Sequence, residues 1–340
     1  MTRARDFADL AGSAAAGGIT GRNLIINGAM QVWQRGTTID TISNGGYLCD
    51  RWRLSHSGTD GNVDVDRSTD VPSGQGFAYS QKISMDASET SLDAADQINV
   101  HQRLEGQDLQ QLAKGTPSAK KTVCSFCVRS SVASTYTLEL QDSDNNRSIS
   151  KTYTIDAADT WEKKEVVFDG DTTGALNNDN GRSMDVRWWI DAGSNYTSGT
   201  LATSWATVTT ANRVSATTGW LESTSPEFYI TGIQLEVGET ATPFEHRSYG
   251  DELARCQRYY RKVDTYSQTY LFTVRSSDDI RRLSHVFSTM RVDPTGTILD
   301  SGDGTVTVQG TGKDSIQFTV SGHSTSSAPY IGSYTLDSEL

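Results

Sequence analysis

Five aromatic residues of this sequence could bind a ligand through a ring face. Trp188 and Trp189 are adjacent, so on a strand one side chain points to each side of the sheet. Tyr196, Trp205 and Trp220 fall in or near polar loops. A ring that faces solvent offers a flat amphipathic surface on which a sugar can stack. Packing in the core, between domains or between subunits is the competing interpretation of the same residues.

The cysteines and histidines form no metal or catalytic pattern. Cys124 and Cys127 lie three apart on a predicted strand and point to opposite faces, where two thiolates cannot converge on one ion. The five histidines show neither metal-ligand spacing nor the context of a nucleophile motif: His56, His101, His246, His285 and His323. We expect free cysteines used for packing, no cofactor and no enzymatic activity.

Two acidic patterns resemble sites for hydrolysis or ion binding. Asp64 and Asp66 share one face of a strand, whereas the carboxyls of a glycosidase lie about 5–9.5 Å apart across a cleft. Their alternation with valines is typical of a solvated strand face. The loop at 169–174 resembles the start of a calcium loop, but Asn180 stands where a bidentate Glu is needed. We expect a polar loop here, with weak binding of a structural calcium as the one ion site left open.

Composition and charge exclude several classes of protein. The 340 residues carry a net charge of −12, which repels nucleic-acid phosphates. Since no run of about 18 apolar residues occurs, we expect no membrane insertion. Seven Trp, 13 Tyr and nine Phe argue against disorder, and abundant small polar residues fit many short strands joined by turns.

Alternating apolar residues predict an all-β protein with an antiparallel jelly-roll β-sandwich. In one segment Cys124, Phe126 and Val128 share a face. A strand is also predicted to begin at Leu24, and a short helix is predicted over 109–114. The other predicted strands lie at 51–55, 62–68, 78–84, 121–130, 135–141, 150–155, 162–168, 184–191 and 227–237.

The sequence predicts four successive parts. A helix is predicted over 249–261, with Ser248 as its N-cap and Leu253, Cys256 and Tyr260 along one stripe. The thin β-structure after it would bury little surface alone, which indicates oligomerisation. The parts are an N-terminal arm (1–22), a jelly-roll domain (23–247), a connector helix (248–262) and a C-terminal β-domain (263–340).

Three groups of motifs between residues 23 and 260 carry a family resemblance. They are NLIINGAMQVWQRG at 23–36 with DRW at 50–52; QRLEG at 102–106 with TVCSFCVRSSVASTY at 122–136; and IQLEVG at 233–238, ATPFE at 241–245, YGDEL at 249–253 and CQRYY at 256–260. Together they resemble tail-fibre and minor virion structural proteins of tailed phages. The opening motif is also similar to galactose-binding-like carbohydrate modules. Those modules frequently hold a structural calcium, but the matching places here are Gln31 and Gly232, which supply no carboxylate.

The resemblance implies a virion appendage assembled in the host cytoplasm. It implies a homotrimer that is attached to other virion proteins by its N-terminal arm and binds a glycan of the host surface. A head-fibre or capsid-decorating protein without a specific receptor is the alternative. A polysaccharide depolymerase is less favoured, because the long repetitive β-helix common in such enzymes is absent from the sequence.

Overall fold

The computed structural model describes residues 21–264, 281–301, 305–321 and 331–340. The chain divides into two compact units, one ending at Ser248 and the other running from Tyr249 to Leu340. All but two residues of the predicted N-terminal arm lie outside the described residues.

The first unit is a sandwich of two six-stranded antiparallel sheets, which confirms the predicted fold class. The first sheet has the order β1-β3-β4-β12-β6-β9 and the second the order β11-β8-β7-β10-β5-β2. The strands are β1 (Thr38–Ile39), β2 (Arg53–Ser57), β3 (Val63–Ser68), β4 (Ser80–Met85), β5 (Gln97–Glu105), β6 (Thr122–Ser130), β7 (Thr135–Asp142), β8 (Arg147–Thr154), β9 (Glu162–Phe168), β10 (Arg182–Ala192), β11 (Ala206–Thr207) and β12 (Glu227–Val237).

Short helical segments join some of these strands. They are a 3-10 helix (Gly106–Leu112), α1 (Ser194–Thr197) and a second 3-10 helix (Thr210–Asn212). The helix predicted over 109–114 is therefore a tighter 3-10 helix that begins and ends earlier. It ends because Ala113 adopts a left-handed conformation, with φ of 48°.

Aromatic side chains fill the space between the two sheets. Trp188 of β10 lies with its ring centroid 5.5 Å from that of Phe126 in β6 and 5.7 Å from that of Trp52. Cys124, Phe126 and Val128 are all 0% exposed on the inner face of β6, as their alternation predicts. Alternation in β6 and β10 therefore places every second side chain in one shared core.

The segment around Leu24 is not a strand, and the prediction of one is wrong. Its backbone is held by side-chain amides in place of a continuous strand ladder. Asn23 Nδ2 donates to the Ile233 carbonyl at 3.0 Å. The Gln102 side chain accepts from the Ile26 N–H at 2.8 Å and donates to the Ile26 carbonyl at 2.7 Å. These bonds satisfy the backbone groups that a neighbouring strand would otherwise pair.

A buried lysine closes one end of the sandwich. Lys114 Nζ lies 2.5 Å from Asp142 Oδ2 and 3.0 Å from Asp171 Oδ2. It also donates to the carbonyl oxygens of Thr173 and Gly174, at 3.2 and 2.8 Å. All three charged side chains are at most 4% exposed. The oxygens of the predicted calcium-like loop thus surround an ammonium group, which occupies the position that an ion would take.

The second unit begins with α2 (Tyr249–Gln257) and contains two three-stranded antiparallel sheets, β13-β18-β15 and β14-β17-β16. Phe318 and Tyr334 pack in its core with ring centroids 5.0 Å apart. The strands are β13 (Tyr260–Asp264), β14 (Arg281–Val286), β15 (Thr295–Ser301), β16 (Thr305–Gly312), β17 (Ser315–Ser321) and β18 (Ile331–Asp337). The predicted helix is too long at its end, because Tyr260 already pairs with Asp337 in a strand.

Replacing Trp188 by alanine should destabilise the first unit by about 3–5 kcal/mol, because a fully buried indole leaves a cavity between the sheets. All seven tryptophans lie before residue 249, so urea unfolding followed by tryptophan fluorescence reports on this unit. Trp161→Ala is the matched control, since that indole is only partly buried. Equal losses in the two variants would contradict the central role of Trp188.

Lys114→Met should lower the free energy of unfolding by about 3–5 kcal/mol, because it leaves the carboxylates of Asp142 and Asp171 buried without the ammonium group. The measurement is again urea unfolding at neutral pH. Lys163→Met is the control: that side chain is 48% exposed, and its loss should leave the midpoint almost unchanged. A stable Lys114→Met variant would show that the buried ion cluster adds nothing to stability.

The same cluster predicts an acid-sensitive contribution to stability. Burial raises the pKa of Asp171, but hydrogen bonds from Arg147 and Lys114 outweigh it and hold the pKa below its usual value. The stabilisation is therefore present above the unfolded-state pKa of about 3.9 and is lost as pH falls through the lower folded-state value. We expect Asp171→Asn to reduce the loss of stability below about pH 4 in urea titrations at several pH values. Identical pH dependence in both proteins would contradict this.

Candidate functional site

The outward face of the second sheet carries a row of basic side chains. In register across β2, β5 and β10, Arg53 pairs with His101, and His101 pairs with Arg187. Arg103, two residues further along β5, pairs with Asp185 of β10. Five residues make up this surface, which we call the basic face: Arg53, His101, Arg103, Arg182 and Arg187.

Asp185 is the carboxylate that holds two of these arginines in place. Its Oδ1 accepts from Arg182 Nε at 2.7 Å, and its Oδ2 accepts from Arg187 Nη2 at 2.9 Å. Arg53 donates to the Ser55 hydroxyl at 2.8 Å, and among the described residues it forms no ion pair. The carboxylate of Asp185 is 0% exposed, so its negative charge interacts with these two arginines and not with solvent. Arg53 therefore remains on the basic face as a cation without an ion pair in the part of the chain that the structure describes.

His101 presents a buried nitrogen that has no hydrogen-bond partner. Its Nδ1 lies 3.1 Å from Asn99 Oδ1, while Asn99 Nδ2 donates to Gln97. Since an amide oxygen only accepts, this arrangement assigns the proton to Nδ1 and leaves Nε2 as an acceptor. Nε2 has no partner in the structure. Burial, together with the charges of Arg187 and Arg103, holds the pKa of His101 well below its usual value, so the ring is neutral at pH 7.

The predicted ligand-binding pair of adjacent tryptophans does not face solvent. Trp188 is 0% exposed in the core and Trp189, on the other side of the sheet, is 1% exposed. Trp189 is covered because the 193–218 segment folds back over β10: Tyr196 packs 5.2 Å from its ring, and the Arg213 guanidinium lies 5.0 Å from its centroid. Both rings are therefore packed inside the protein, which is the competing interpretation of these two residues.

The other three predicted aromatic residues also serve packing in this structure. Trp220 is 0% exposed and belongs to the core. Tyr196 is partly buried against Trp189. Trp205 is partly exposed, lies 5.0 Å above Lys114 Nζ and donates from Nε1 to a backbone carbonyl at 2.7 Å. The structure does not bring the five predicted residues together into one surface.

Glu139 connects the covered part of the sheet to the basic face. Its Oε1 accepts from Arg213 Nε at 2.8 Å, and its Oε2 accepts from Trp189 Nε1 at 3.0 Å. Arg187 Nε lies 3.9 Å from the same Oε2. Glu139 is 0% exposed. The position of Arg187 is thus set from both sides, by Asp185 and by Glu139.

On the outward face of the first sheet, Arg129 is a cation with carboxylate partners. Trp161 and Tyr229 pack edge to face at 6.2 Å, with the Arg129 guanidinium 4.7 Å above the Tyr229 ring. Arg129 also pairs with Asp70 at 2.9 Å, and Asp70 accepts from Trp161 Nε1 at 2.8 Å. Arg129 is thus a paired cation, and sequence analysis did not single out its neighbour Trp161.

Sequence analysis also missed the basic face, because it did not predict β5. The signal that could have found this strand is the alternation of Ile98, Val100 and Leu104 with polar residues. His101 and Arg103 occupy the intervening positions and therefore share the outward face. No local signal in the sequence shows that Arg53 and Arg187 flank them.

The metal-ligating side chains and the thiols that the structure describes do not form a further site. No group of three or more His, Cys, Asp or Glu side chains that could hold a metal ion occurs among the described residues. The four cysteines are free and buried, with Cys124 and Cys127 on opposite faces as predicted. Burial raises the pKa of Cys127 to about 11, which keeps the thiol protonated. None of the helices in the described ranges is both long and apolar enough to cross a membrane.

Comparison with known proteins gives similarity of structure alone. No protein-family model and no curated protein matches the chain. Among solved structures it is similar to the enzymatically active domain of tailspike protein 4 from bacteriophage CBA120, with 14% identity, a TM-score of 0.32, and coverage of 59% of this chain and 22% of that one. It therefore spans about a fifth of the tailspike chain.

The structure of this chain is also similar to those of carbohydrate-binding modules. TmCBM61, solved with β-1,4-galactotriose, shares 12% identity and a TM-score of 0.32, with 64% of this chain and 100% of that chain covered. The family 11 module of Clostridium thermocellum, solved with a mixed-linked tetrasaccharide, shares 13% identity and a TM-score of 0.31, with 61% and 98% covered. The β-sandwich of this chain is established by its own strand pairing, in two six-stranded antiparallel sheets.

Proposed function

We propose that this protein binds glycans on the basic face of the second sheet and acts by adhesion without catalysis. The observation that carries the proposal is the neutral, buried His101, whose Nε2 has no partner and whose neighbours in register are Arg53 and Arg187. An unpaired buried acceptor costs free energy, and a saccharide hydroxyl is a donor that satisfies it. The guanidinium groups beside it supply further donors.

Adhesion in place of catalysis is supported by the state of the two carboxylates beside this face. A general acid or base must be free to exchange a proton with substrate. Asp185 accepts from Arg182 and Arg187, and Glu139 accepts from Arg213 and Trp189. Both are fully buried and already used as acceptors for these donors. These two carboxylates therefore hold arginine side chains in place.

We also propose that the protein is a phage virion appendage, with a homotrimer as its assembly and the host surface as the source of its glycan. The support is the resemblance of the motifs at 23–36 and 233–245 to phage fibre proteins. Weak binding sites repeated on a symmetric assembly would add through avidity. The arm of residues 1–22 would attach the protein to other virion proteins.

Glycan-array binding with the purified full chain tests the proposal. Wild type should bind a defined set of glycans, and Arg103→Ala should weaken that binding about tenfold or more, because it removes a planar donor from the face. Arg129→Ala, on the outward face of the first sheet, is the control and should bind like wild type. Labelled antibody on purified particles would locate the protein, and light scattering would give the subunit number.

Two outcomes of these experiments would contradict the proposal. If wild type binds no glycan and no host cell while particles carry it, the protein is a decorating component without a receptor. If the two arginine variants lose binding equally, the site is not on the second sheet.

A further inference from the structure

The basic face concentrates positive charge in a chain whose overall charge is strongly negative. Four arginines surround one histidine, while the net charge of the protein is −12. Of these arginines, Arg182 and Arg187 share the carboxylate of Asp185. Arg53 has a hydroxyl as its partner and forms no ion pair among the described residues. Arg182 also lies in register with the buried carboxylate of Glu105, so the charge that no carboxylate balances among the described residues is that of Arg53.

Basic side chains in direct register are unfavourable unless something compensates them. Directly opposed side chains on neighbouring antiparallel strands have Cβ atoms about 4.5–5.5 Å apart, and like charges there are destabilising. The sheet places Arg53 and Arg187 on the two sides of His101, and His101 is neutral at the cost of a strongly lowered pKa. The neutral ring of His101 therefore separates the two guanidinium groups and avoids two directly opposed like charges.

The structure also restricts where the Arg53 side chain can lie. Gly45 packs directly on the guanidinium: a Cβ atom added at Gly45 would lie 2.0 Å from Arg53 Nη2. Gly45 also has φ of +80°, which favours glycine. The backbone of this loop therefore confines Arg53 beside His101, and less freedom is lost when a ligand binds to it.

We infer that the glycan bound on the basic face is acidic, a saccharide whose uronate, sulfate or phosphate group pairs with Arg53 and whose hydroxyl donates to His101 Nε2. This inference rests on the proposed function and specifies its ligand class. Guanidinium groups bind planar or tetrahedral oxyanions through paired N–H donors. A neutral imidazole nitrogen requires a donor, which an anionic group cannot supply and a sugar hydroxyl can. One acidic sugar residue offers both groups.

The test uses pairs of oligosaccharides that differ only in the acidic group. Suitable pairs are a uronic-acid oligosaccharide and its carboxyl-reduced form, and a sulfated oligosaccharide and its desulfated form. Affinities for the full chain are measured by calorimetry. We expect the acidic member of at least one pair to bind about tenfold or more tightly than its neutral form, and to lose affinity between about 0.05 and 0.5 M salt.

Three variants test whether that preference arises at the basic face. Arg53→Gln keeps a hydrogen-bonding side chain but removes the charge, so it should abolish the preference for the acidic member over the neutral member. Arg129→Gln, on the other sheet, should keep the preference. Tryptophan fluorescence on heating verifies that each variant is folded. Gly45→Ala displaces the Arg53 guanidinium without changing any charge and should reduce the preference in the same direction.

The outcomes separate this inference from the proposed function. Equal binding of acidic and neutral members, with both weakened by Arg103→Ala, overturns the acidic ligand and keeps glycan binding at this face. A preference for the acidic member that survives Arg53→Gln overturns the assignment to Arg53. Absence of binding to every saccharide, acidic or neutral, overturns the proposed function itself.

Discussion

Strand β10 is buried on both of its faces, and the arrangement of the second sheet follows from that constraint. On the inner side Trp188 fills the space between the sheets. On the outer side Asp185 and Arg187 are buried charges, which are stable only when paired. Arg213, from the 193–218 segment, supplies one of the cations by binding Glu139. The position of that segment is therefore coupled to the charges on the sheet, and Trp189 is covered as a result.

The motifs that carry the resemblance to phage fibre proteins contact one another. Glu245 Oε2 accepts from the Asn23 N–H at 2.8 Å, and Arg247 Nη1 donates to the Ile25 carbonyl at 3.0 Å. Glu236 accepts from Thr242 through both oxygens, each at 2.8 Å. These contacts fasten the beginning of the sandwich to its last strand. These motifs therefore specify how the sandwich is closed.

Asn27 and Gly28 show the same structural role within the opening motif. Asn27 has φ of 57°, and its side chain accepts from the Val32 N–H at 3.0 Å and donates to the Asp50 carbonyl at 3.0 Å. A Cβ atom at Gly28 would lie 2.1 Å from the Ile233 carbonyl oxygen. The backbone turns tightly at these two residues, and the missing side chain of Gly28 allows its close approach to Ile233.

Much of the fold could be predicted because the signal is local. Period-two alternation in β6 and β9 depends only on which residues neighbour one another along the chain, and both strands appear where they were predicted. The candidate site could not be predicted in this way. Arg53, His101 and Arg187 come from three distant strands, and only the register of the sheet makes them neighbours. The ammonium of Lys114 illustrates the same limit, since its acceptors come from separate strands and loops.

For a related reason, the sequence could not show that both adjacent tryptophans are covered. Alternation correctly places Trp188 and Trp189 on opposite faces, yet it does not show whether a face is covered. Covering here depends on an ion pair between Glu139 and Arg213, residues far apart in the sequence. An aromatic residue next to a loop is thus a weak indication of a binding surface wherever the loop can fold back over it.

The opposite signs of the whole chain and of the basic face bear on how an acidic ligand would be selected. At physiological ionic strength the Debye length is about 8 Å, so an approaching polyanion first meets the net charge of −12 and only later the arginines. Long-range attraction therefore cannot bring the ligand to the face. Recognition must arise at contact, from the fixed positions of Arg53 and His101. Recognition at contact favours an acidic saccharide that fits the positions of these two side chains. Polyanions that offer charge alone, such as nucleic acids, are disfavoured.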